Sequence, residues 1–191
     1  MLVRATFDTP VGPMLALASS VALCALEFDN GSRLSRLDAR LARFFPDATI
    51  ADGTNAILAA VGAWLDEYFA GRAAGVAGLP LGARGTPFEQ TVWRALLDIA
   101  PGATCSYGHI AAKVTSRPNA SRAVGLANGA NPIALVVPCH RVIGADGSLT
   151  GYGGGLDRKL WLLEHEERHW PTATSVSRVG RAASRQVRLT F

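Results

Sequence analysis

The N-terminal part of the chain alternates short apolar runs with turn-forming residues. The runs cover residues 2–8, 14–19 and 21–28, and Pro or Gly follows the first and the third of them. Short apolar runs bounded by such residues are typical of β-strands. The pattern therefore predicts a β-meander of three strands.

A helical pattern then replaces the strand pattern. The spacing predicts helices at about 32–45 and 54–70, and the second carries apolar residues three and four positions apart. These residues are Ile57, Val61, Trp64, Leu65, Tyr68 and Phe69. We expect this apolar face to cover the sheet.

The next helix has a clear start. Thr86 can cap it, Pro87 suits its first turn, and Glu89 completes a capping box. Two shorter helices follow at about 107–114 and 120–128, joined by a polar turn. Such a pair is typical of a helix-turn-helix, but the spacing alone favours an ordinary helical hairpin, so both interpretations stay open.

An apolar run at 133–137 is rich in β-branched residues. It predicts a short buried strand that ends at Pro138 and Cys139. A glycine-rich loop at 151–155 and a helix at about 156–167 come next.

These patterns predict an α+β fold. A small N-terminal domain of β-sheet plus helices precedes a mostly helical C-terminal domain with a helix-turn-helix and an active-site loop. Residues 71–85 are rich in Gly and Ala without periodicity and suit an interdomain connection. The predicted domains are residues 1–80 and 81–170, followed by an arginine-rich tail at 171–191.

Charge is distributed unevenly. The whole chain has a net charge of +4. From Arg168 to the end there are five arginines and no acidic residue, so residues 1–167 have a net charge of −1. The bulk charge of the globular part therefore does not by itself explain nucleic-acid binding. Our hypothesis for the tail is contact with DNA backbone or with a neighbouring protomer.

Composition narrows the cellular setting. The N-terminus lacks a charged and apolar leader pattern, and no apolar stretch reaches the length of a membrane span. Three cysteines without a CxxC pair predict free thiols rather than disulfides or a zinc site. We expect a cytoplasmic protein with no membrane partner, no metal and no cofactor.

The segment around Cys139 carries the candidate chemistry. A cysteine after an apolar run is by default a small buried hydrophobe, and a metal site would need ligands that are not at zinc spacing. His140 is adjacent, and Glu166 lies at the edge of the apolar face of the last helix. A Cys, His and Glu relay would activate the thiol, although Glu166 could equally be a solvated helix-end residue.

Several longer motifs resemble one family. Pro138-Cys139-His140-Arg141-Val142, the Asn131-Pro132 before it and the Gly151-Tyr152 after it resemble the signature of the O6-alkylguanine-DNA alkyltransferases. The similarity extends through PFEQTVWRALLDIAPG, SYGHIA and SRAVGLANGANP, and less diagnostically to TPVGPMLALAS near the N-terminus.

The resemblance implies direct, irreversible and stoichiometric transfer of an alkyl group from O6-alkylguanine, or from O4-alkylthymine, in double-stranded DNA. Cys139 would accept the alkyl group, His140 would be its base through a bound water, and Glu166 would orient His140. Such a protein binds the minor groove, flips the damaged base, acts once, and is expected to be a monomer.

The resemblance also implies roles around this centre. Asn131 would brace the turn, Tyr107 would contact guanine N3, and Arg122 would fill the gap left by the flipped nucleotide. The remaining predicted contacts to DNA or to the flipped base are Ser121, Ala123, Tyr152, the Gly153 backbone and the carbonyls of Cys139 and Val142.

Three other functions compete with this interpretation. A non-catalytic lesion-binding protein of the alkyltransferase-like kind would lack the acceptor that Cys139 supplies. A transcription regulator would use the helix-turn-helix, but the sequence offers no sensor site. A cysteine hydrolase would share the Cys, His and Glu set, but no oxyanion arrangement is evident in the sequence.

Overall fold

A computed structural model describes residues 1–72, 78–117 and 119–172. The predictions that concern Pro118, the middle of the interdomain connection and the tail beyond residue 172 lie outside these ranges.

A four-stranded sheet forms the N-terminal half. Its strands are β1 (Leu2–Phe7), β2 (Met14–Ala18), β3 (Leu23–Phe28) and β4 (Ile50–Asp52), in the order β3-β2-β1-β4. The first three pair in antiparallel fashion, which confirms the predicted meander. Strand β4 was not predicted; it pairs in parallel with β1 and is short and exposed.

Two helices cover opposite faces of this sheet. Helix α2 (Ala56–Phe69) packs on β2 and β3, with Val61 and Leu65 in the main core. Helix α1 (Gly31–Phe44) places Leu37 in a second apolar cluster with the side chains on the other face, including Leu17. Alternation of strand side chains between the two faces produces this layered arrangement.

Three helices form the centre of the C-terminal half. Helix α3 (Pro87–Leu97) begins as predicted, with Thr86 as its cap and Glu89 completing the capping box. Helices α4 (Tyr107–Val114) and α5 (Ser121–Gly129) pack on each other and on α3. The observed pair agrees with the predicted one to within a residue.

The predicted strand at 133–137 is wrong. Only Ile133 makes a bridge, to Leu26 of β3, and the chain then turns at Leu135, whose φ is +65°. The side chain of Asn131 closes this turn, because its Oδ1 accepts from Ile133 N at 3.0 Å and its Nδ2 donates to Val137 O at 2.8 Å. A side chain thus provides the hydrogen bonds that a neighbouring strand would have provided.

The turn leads directly into the segment of interest. Residues Cys139–Arg141 form a 3-10 turn, and β6 (Val142–Ile143) then pairs in parallel with β5 (Cys105–Ser106). Helix α6 (Leu156–His169) ends the described C-terminal half. Together these elements confirm the predicted α+β class.

The sheet edge and the C-terminal half share one apolar core. Leu26 N donates to Pro132 O at 2.8 Å, and Ala134 N donates to Leu26 O at 2.7 Å. The residues before Cys139 are therefore held against β3. No helix within the described ranges is long and apolar enough to cross a membrane.

Candidate active site

Cys139 begins the 3-10 turn and is buried, with 6% of its surface exposed. Its Sγ accepts a hydrogen bond from Asn131 Nδ2 at 3.2 Å. The Asn131 amide that closes the turn therefore also fixes the thiol. The structure brings together these two residues, which the sequence analysis had placed in one site.

The carboxylate of Glu166 is the centre of a buried polar cluster. Its Oε1 accepts from His140 Nε2 at 2.9 Å and from Tyr68 Oη at 2.8 Å. Arg141 adds two charge-assisted bonds of 2.8 Å, one to each carboxylate oxygen. The backbone N–H of Gly102 completes the set at 3.1 Å. Glu166 is therefore a buried partner of His140 and not a solvated helix-end residue.

This set of donors decides the protonation state of Glu166. Burial alone would raise the pKa of the carboxyl, but the interactions with His140 and Arg141 outweigh burial and hold the pKa well below its usual range. Burial lowers the pKa of His140, although Glu166 opposes that shift. The resting pair is therefore a carboxylate beside a neutral imidazole that can accept a proton.

The thiol itself is protonated at rest. Burial raises the pKa of Cys139, while the Asn131 hydrogen bond and the charge of Arg33 oppose the rise. A thiolate is the reactive form of cysteine, so the thiol needs a base. The ring atom His140 Nδ1 is buried and makes no hydrogen bond to any described residue. The imidazole therefore has one nitrogen fixed by Glu166 and the other uncommitted.

Tyr107 and the loop that carries Tyr152 and Gly153 lie near Cys139, and we call them the rim of the site. Tyr107 begins α4, and its Oη lies 3.5 Å from the carbonyl oxygen of Gly151. The Tyr152 ring packs edge-on against Phe28 with centroids 6.0 Å apart. The backbone at Gly153 passes so close to the guanidinium of Arg33 that a side chain would collide with it.

A buried lysine, Lys159, connects β6 to the loop that leads into the rim. Its Nζ donates to the carbonyl oxygens of Val142 and Thr150, each at 2.7 Å. Burial lowers the pKa of this lysine to about 8, while Cys139 favours its charged form. The lysine therefore fixes the carbonyl of Val142, which the sequence analysis assigned to base recognition.

The first turn of α5 holds the other predicted DNA contacts. Ser121 is half-buried, while Arg122 and Ala123 are exposed. No side chain caps this helix, and a cation in the first turn is opposed by the helix dipole. The stability of the helix therefore does not explain why arginine stands at Arg122.

Helix α5 lies close to the rim. A Cβ at Gly125 would stand 3.8 Å from the ring of Tyr107, so the helix packs beside this tyrosine. Tyr107 thus lies between the exposed helix and the loop that carries Gly151. The structure brings the two sets of predicted residues to one side of the molecule.

Several residues of the cluster had no predicted role in the site. Tyr68 was predicted only as part of an apolar stripe, and Arg141 only as part of a motif. Lys159 left a readable signal, because it lies three positions before Leu162 on the apolar face of α6. A charged residue on such a face points to buried hydrogen bonds.

Metal ligands were not expected. Within residues 1–72, 78–117 and 119–172, no group of three or more His, Cys, Asp or Glu side chains could hold a metal ion.

Family models match both halves of the chain. The DNA binding domain of 6-O-methylguanine DNA methyltransferase matches residues 87–168, and the ribonuclease-like domain of 6-O-methylguanine DNA methyltransferase matches residues 2–83.

Curated relatives match over nearly the whole chain. The methylated-DNA–protein-cysteine methyltransferase of Mycobacterium leprae is 44% identical over 172 residues, which cover 90% of this chain and 96% of the relative. The protein of the same name from Mycobacterium bovis is 46% identical over 166 residues, which cover 87% and 93%.

Solved structures give the same result. The Mycobacterium tuberculosis O6-methylguanine methyltransferase has a TM-score of 0.74 and 43% identity, covering 90% of this chain and 96% of that chain. The Mycobacterium tuberculosis OGT in complex with DNA has a TM-score of 0.74 and 42% identity, covering 87% and 94%. This chain therefore belongs to the 6-O-methylguanine DNA methyltransferase family, and it is a DNA-repair protein that works by alkyl transfer.

Proposed function

We propose that this protein transfers one alkyl group from O6 of guanine in double-stranded DNA to Sγ of Cys139, once per molecule. The observation that carries the proposal is a buried thiol whose neighbour in the chain is a buried imidazole that Glu166 holds by one nitrogen. Relatives named methylated-DNA–protein-cysteine methyltransferase support the same chemistry.

The proton leaves the thiol before or during the attack. A water hydrogen-bonded to His140 Nδ1 would carry the proton from Cys139 to the imidazole, and Glu166 would stabilise the imidazolium that forms. The carboxylate is already ionised, so it needs no proton transfer of its own. Arg141 holds it in place through two hydrogen bonds.

The transfer step is a displacement at carbon. The thiolate forms a bond to the alkyl carbon, and the bond from that carbon to O6 breaks. The electron pair goes to guanine, which becomes neutral by taking a proton from water, and the imidazolium of His140 returns the thiol proton to water. We assign Tyr107 to a hydrogen bond at guanine N3, since a donor there stabilises the charge that develops on the leaving base. The thioether product is not hydrolysed, so the protein acts once.

A buried acceptor requires the base to leave the DNA stack. We propose that α5 lies in the minor groove and that the Arg122 side chain fills the gap left by the flipped nucleotide. Ser121 and Ala123 stand beside it in the first turn, where they would contact the DNA backbone. The exposure of Arg122 at an unfavourable helix position supports this role.

The flipped guanine would enter between the rim and the 3-10 turn. Tyr152 would form a wall, and the Gly153 backbone would contact O6. The carbonyls of Cys139 and Val142 already accept from Asn128 Nδ2 at 3.3 Å and from Lys159 Nζ at 2.7 Å. The Val142 oxygen has a second lone pair for the exocyclic amine of guanine. The Cys139 oxygen also accepts from the N–H of Val142, so the amine would share its lone pairs with the two donors already there.

The wider assignments belong to the same proposal. We divide the chain at about residue 80 into an N-terminal structural domain and a C-terminal alkyltransferase domain that ends at about residue 170. The protein would act as a monomer, without metal or cofactor, and its free thiols suit the cytoplasm. The relatives are named methyltransferases, so the lesion-binding alternative is not favoured.

A duplex carrying labelled O6-methylguanine tests the proposal. We expect label to move to the protein and to stop at one equivalent, with unmodified guanine left in the duplex. The same labelled lesion as free base should react more slowly. Continued release of label into solution would indicate a hydrolase, and binding without transfer would indicate a lesion-binding protein.

A further inference from the structure

Helix α1 carries a row of arginines, of which only the first contacts the residues around Cys139. They stand at Arg33, Arg36, Arg40 and Arg43, spaced three, four and three apart, and therefore share one face of the helix. The acidic residue of this helix, Asp38, acts on Arg4 of β1 and so faces away from the row. The face is strongly basic in a globular part whose total charge is close to zero.

This face forms one wall of an open groove of about 510 Å³. Arg36, Arg40 and Arg43 line it, and we call these three residues the arginine face. The other wall is the C-terminal half of α5, with Gly125, Leu126, Gly129 and Ala130. The groove therefore lies directly beside α5, the helix that we place in the minor groove of DNA.

Two carboxylates that also line the groove are already neutralised. Glu27 is bonded by the buried Arg33 through two nitrogens. Glu89 accepts from Arg40 at 3.2 Å and from the N–H of Thr86 at 2.7 Å. Among the described residues that line the groove, these pairs leave two positive charges that no acidic residue balances.

Those charges belong to Arg36 and Arg43, and both are exposed. Neither makes an ion pair or a hydrogen bond to another described residue, although Arg43 lies over the Phe44 ring at 5.0 Å. Arg40, by contrast, is fixed between the Phe44 and Trp93 rings and the carbonyl of Arg84. Arg40 thus shapes the wall, and its two neighbours are available to a ligand.

We infer that the arginine face binds the phosphate backbone of the DNA strand that runs beside α5. The inference rests on the proposed function, because it extends the interface that α5 begins. A helix in the minor groove of DNA has a phosphate strand on each side. The strand on the side of α1 would pass over the protein groove that the arginine face lines. Arginine is well suited to phosphate oxygens, and such contacts add affinity and register without reading sequence.

Two other occupants would fit a basic groove less well. An acidic peptide would have to leave the exposed Leu126 unmatched or bring its own apolar residue, and a second copy would have to offer an acidic face. DNA explains both the charge and the position beside α5. The side chain of Leu126, which is 74% exposed, would then face the floor of the minor groove of the DNA.

The test compares two double variants in DNA binding across a salt series. Arg36→Gln with Arg43→Gln removes the two unbalanced charges. Arg4→Gln with Arg72→Gln removes two arginines that are paired with Asp52 and Glu67 outside the groove. Both variants lose the same net charge, so the control isolates position. Thermal unfolding of each variant checks that the fold is kept.

We expect the slope of log K against log salt to become shallower by about 1.8 in the first variant, for two lost phosphate contacts. The control should keep the wild-type slope. Lesion and unmodified duplexes should be affected alike, while the reaction with free O6-methylguanine base stays at the wild-type rate. An unchanged slope, or equal changes in both variants, would overturn the inference.

The same samples separate this inference from the proposed function. Wild-type protein that fails to react with lesion DNA and free base alike would refute the proposed function, whatever the salt slope. A wild-type dimer that dissociates in the first variant, with no change of slope, would show that the face binds a second copy and not DNA.

Discussion

Two buried carboxylates in this protein are each paired with an arginine, but their pKa values shift in opposite directions. Glu27 on β3 is bonded by Arg33, and Glu166 on α6 is bonded by Arg141, each through two nitrogens. Burial raises the pKa of Glu27 despite its arginine, whereas the pKa of Glu166 is held well below its usual range.

A second side-chain partner accounts for the difference. Glu166 has His140 beside its arginine, and the interactions with His140 and Arg141 together outweigh the cost of burial. Glu27 has the N–H of Phe28 and the charge of Arg40 beside Arg33, but burial outweighs them. One carboxylate is therefore built to stay ionised through a proton transfer, and the other is built to hold an arginine.

The held arginine has a mechanical role. Arg33 also donates to the carbonyls of Gly129 and Asn131 at 3.1 and 3.0 Å. It thereby connects α1 to the end of α5 and to the residue that positions the thiol of Cys139. We interpret the Glu27 pair as positioning the site and the Glu166 cluster as part of its chemistry.

The largest expected effect comes from Glu166→Gln. The change leaves Arg141 buried without its counter-charge, which costs about 3–5 kcal/mol of unfolding free energy. It also removes the charge that stabilises the imidazolium, so the rate of transfer should fall by about 100-fold or more. Chemical denaturation and single-turnover transfer to the protein measure the two effects. A stable variant with the wild-type rate would contradict the account of the cluster.

Glu27→Gln should separate stability from chemistry. The amide oxygen still accepts from Arg33, but Arg33 loses its counter-charge while buried, so we expect a loss of about 3 kcal/mol of unfolding free energy. This is the low end for a broken buried pair, because two carbonyls also hold Arg33. Transfer to the folded protein should slow by less than about tenfold, because Glu27 does not touch the proton path. The same two assays apply, at a temperature where both proteins are folded. A loss of transfer equal to that of Glu166→Gln would erase the distinction between the two carboxylates.

Tyr68→Phe tests one donor of the larger set. The tyrosine reaches Glu166 from α2, in the N-terminal half, and its hydroxyl bond should contribute about 1 kcal/mol. Transfer should slow only severalfold, since three kinds of donor remain. Val61→Ala, at a buried residue two turns earlier on the same helix, is the control, because it changes packing and keeps the Tyr68 hydroxyl. Equal slowing in both variants would indicate a packing effect.

The smallest expected effect is a shift in the pH dependence of transfer, and it also distinguishes the two carboxylates. Burial puts the pKa of His140 below its ordinary value of 6.5, so transfer should stay constant near neutral pH and fall at a midpoint below 6.5, as the imidazole becomes protonated. Glu166 favours the protonated ring, so Glu166→Gln should move that midpoint to lower pH. Glu27→Gln should leave it unchanged. A midpoint that rises in Glu166→Gln would contradict the assigned direction.

Local signals made much of the fold predictable. The capping box at Thr86 and the periodicity of α2 are properties of adjacent residues, and both agree with the structure. The strand predicted at 133–137 is wrong because Asn131 folds the chain back on itself through side-chain hydrogen bonds that apolar patterning does not report. The missed strand β4 is too short and exposed to leave a pattern.

The candidate site divides in the same way. Cys139 and His140 are adjacent and belong to a specific motif, and the contact of His140 with Glu166 is present at 2.9 Å. Tyr68 lies 98 residues before Glu166, and its apolar surroundings conceal a polar role. A contact at that separation exists only once the two halves pack together, so no local pattern could have revealed it.

The most direct test of the central claim is the intact mass of the protein after reaction with a duplex carrying O6-methylguanine. Wild type, Cys139→Ser and Cys105→Ser are compared, the last as a matched control at a half-buried cysteine. We expect a gain of one methylene unit per molecule in wild type and in Cys105→Ser, and no gain in Cys139→Ser. Methylation of Cys139→Ser to the wild-type extent would contradict it.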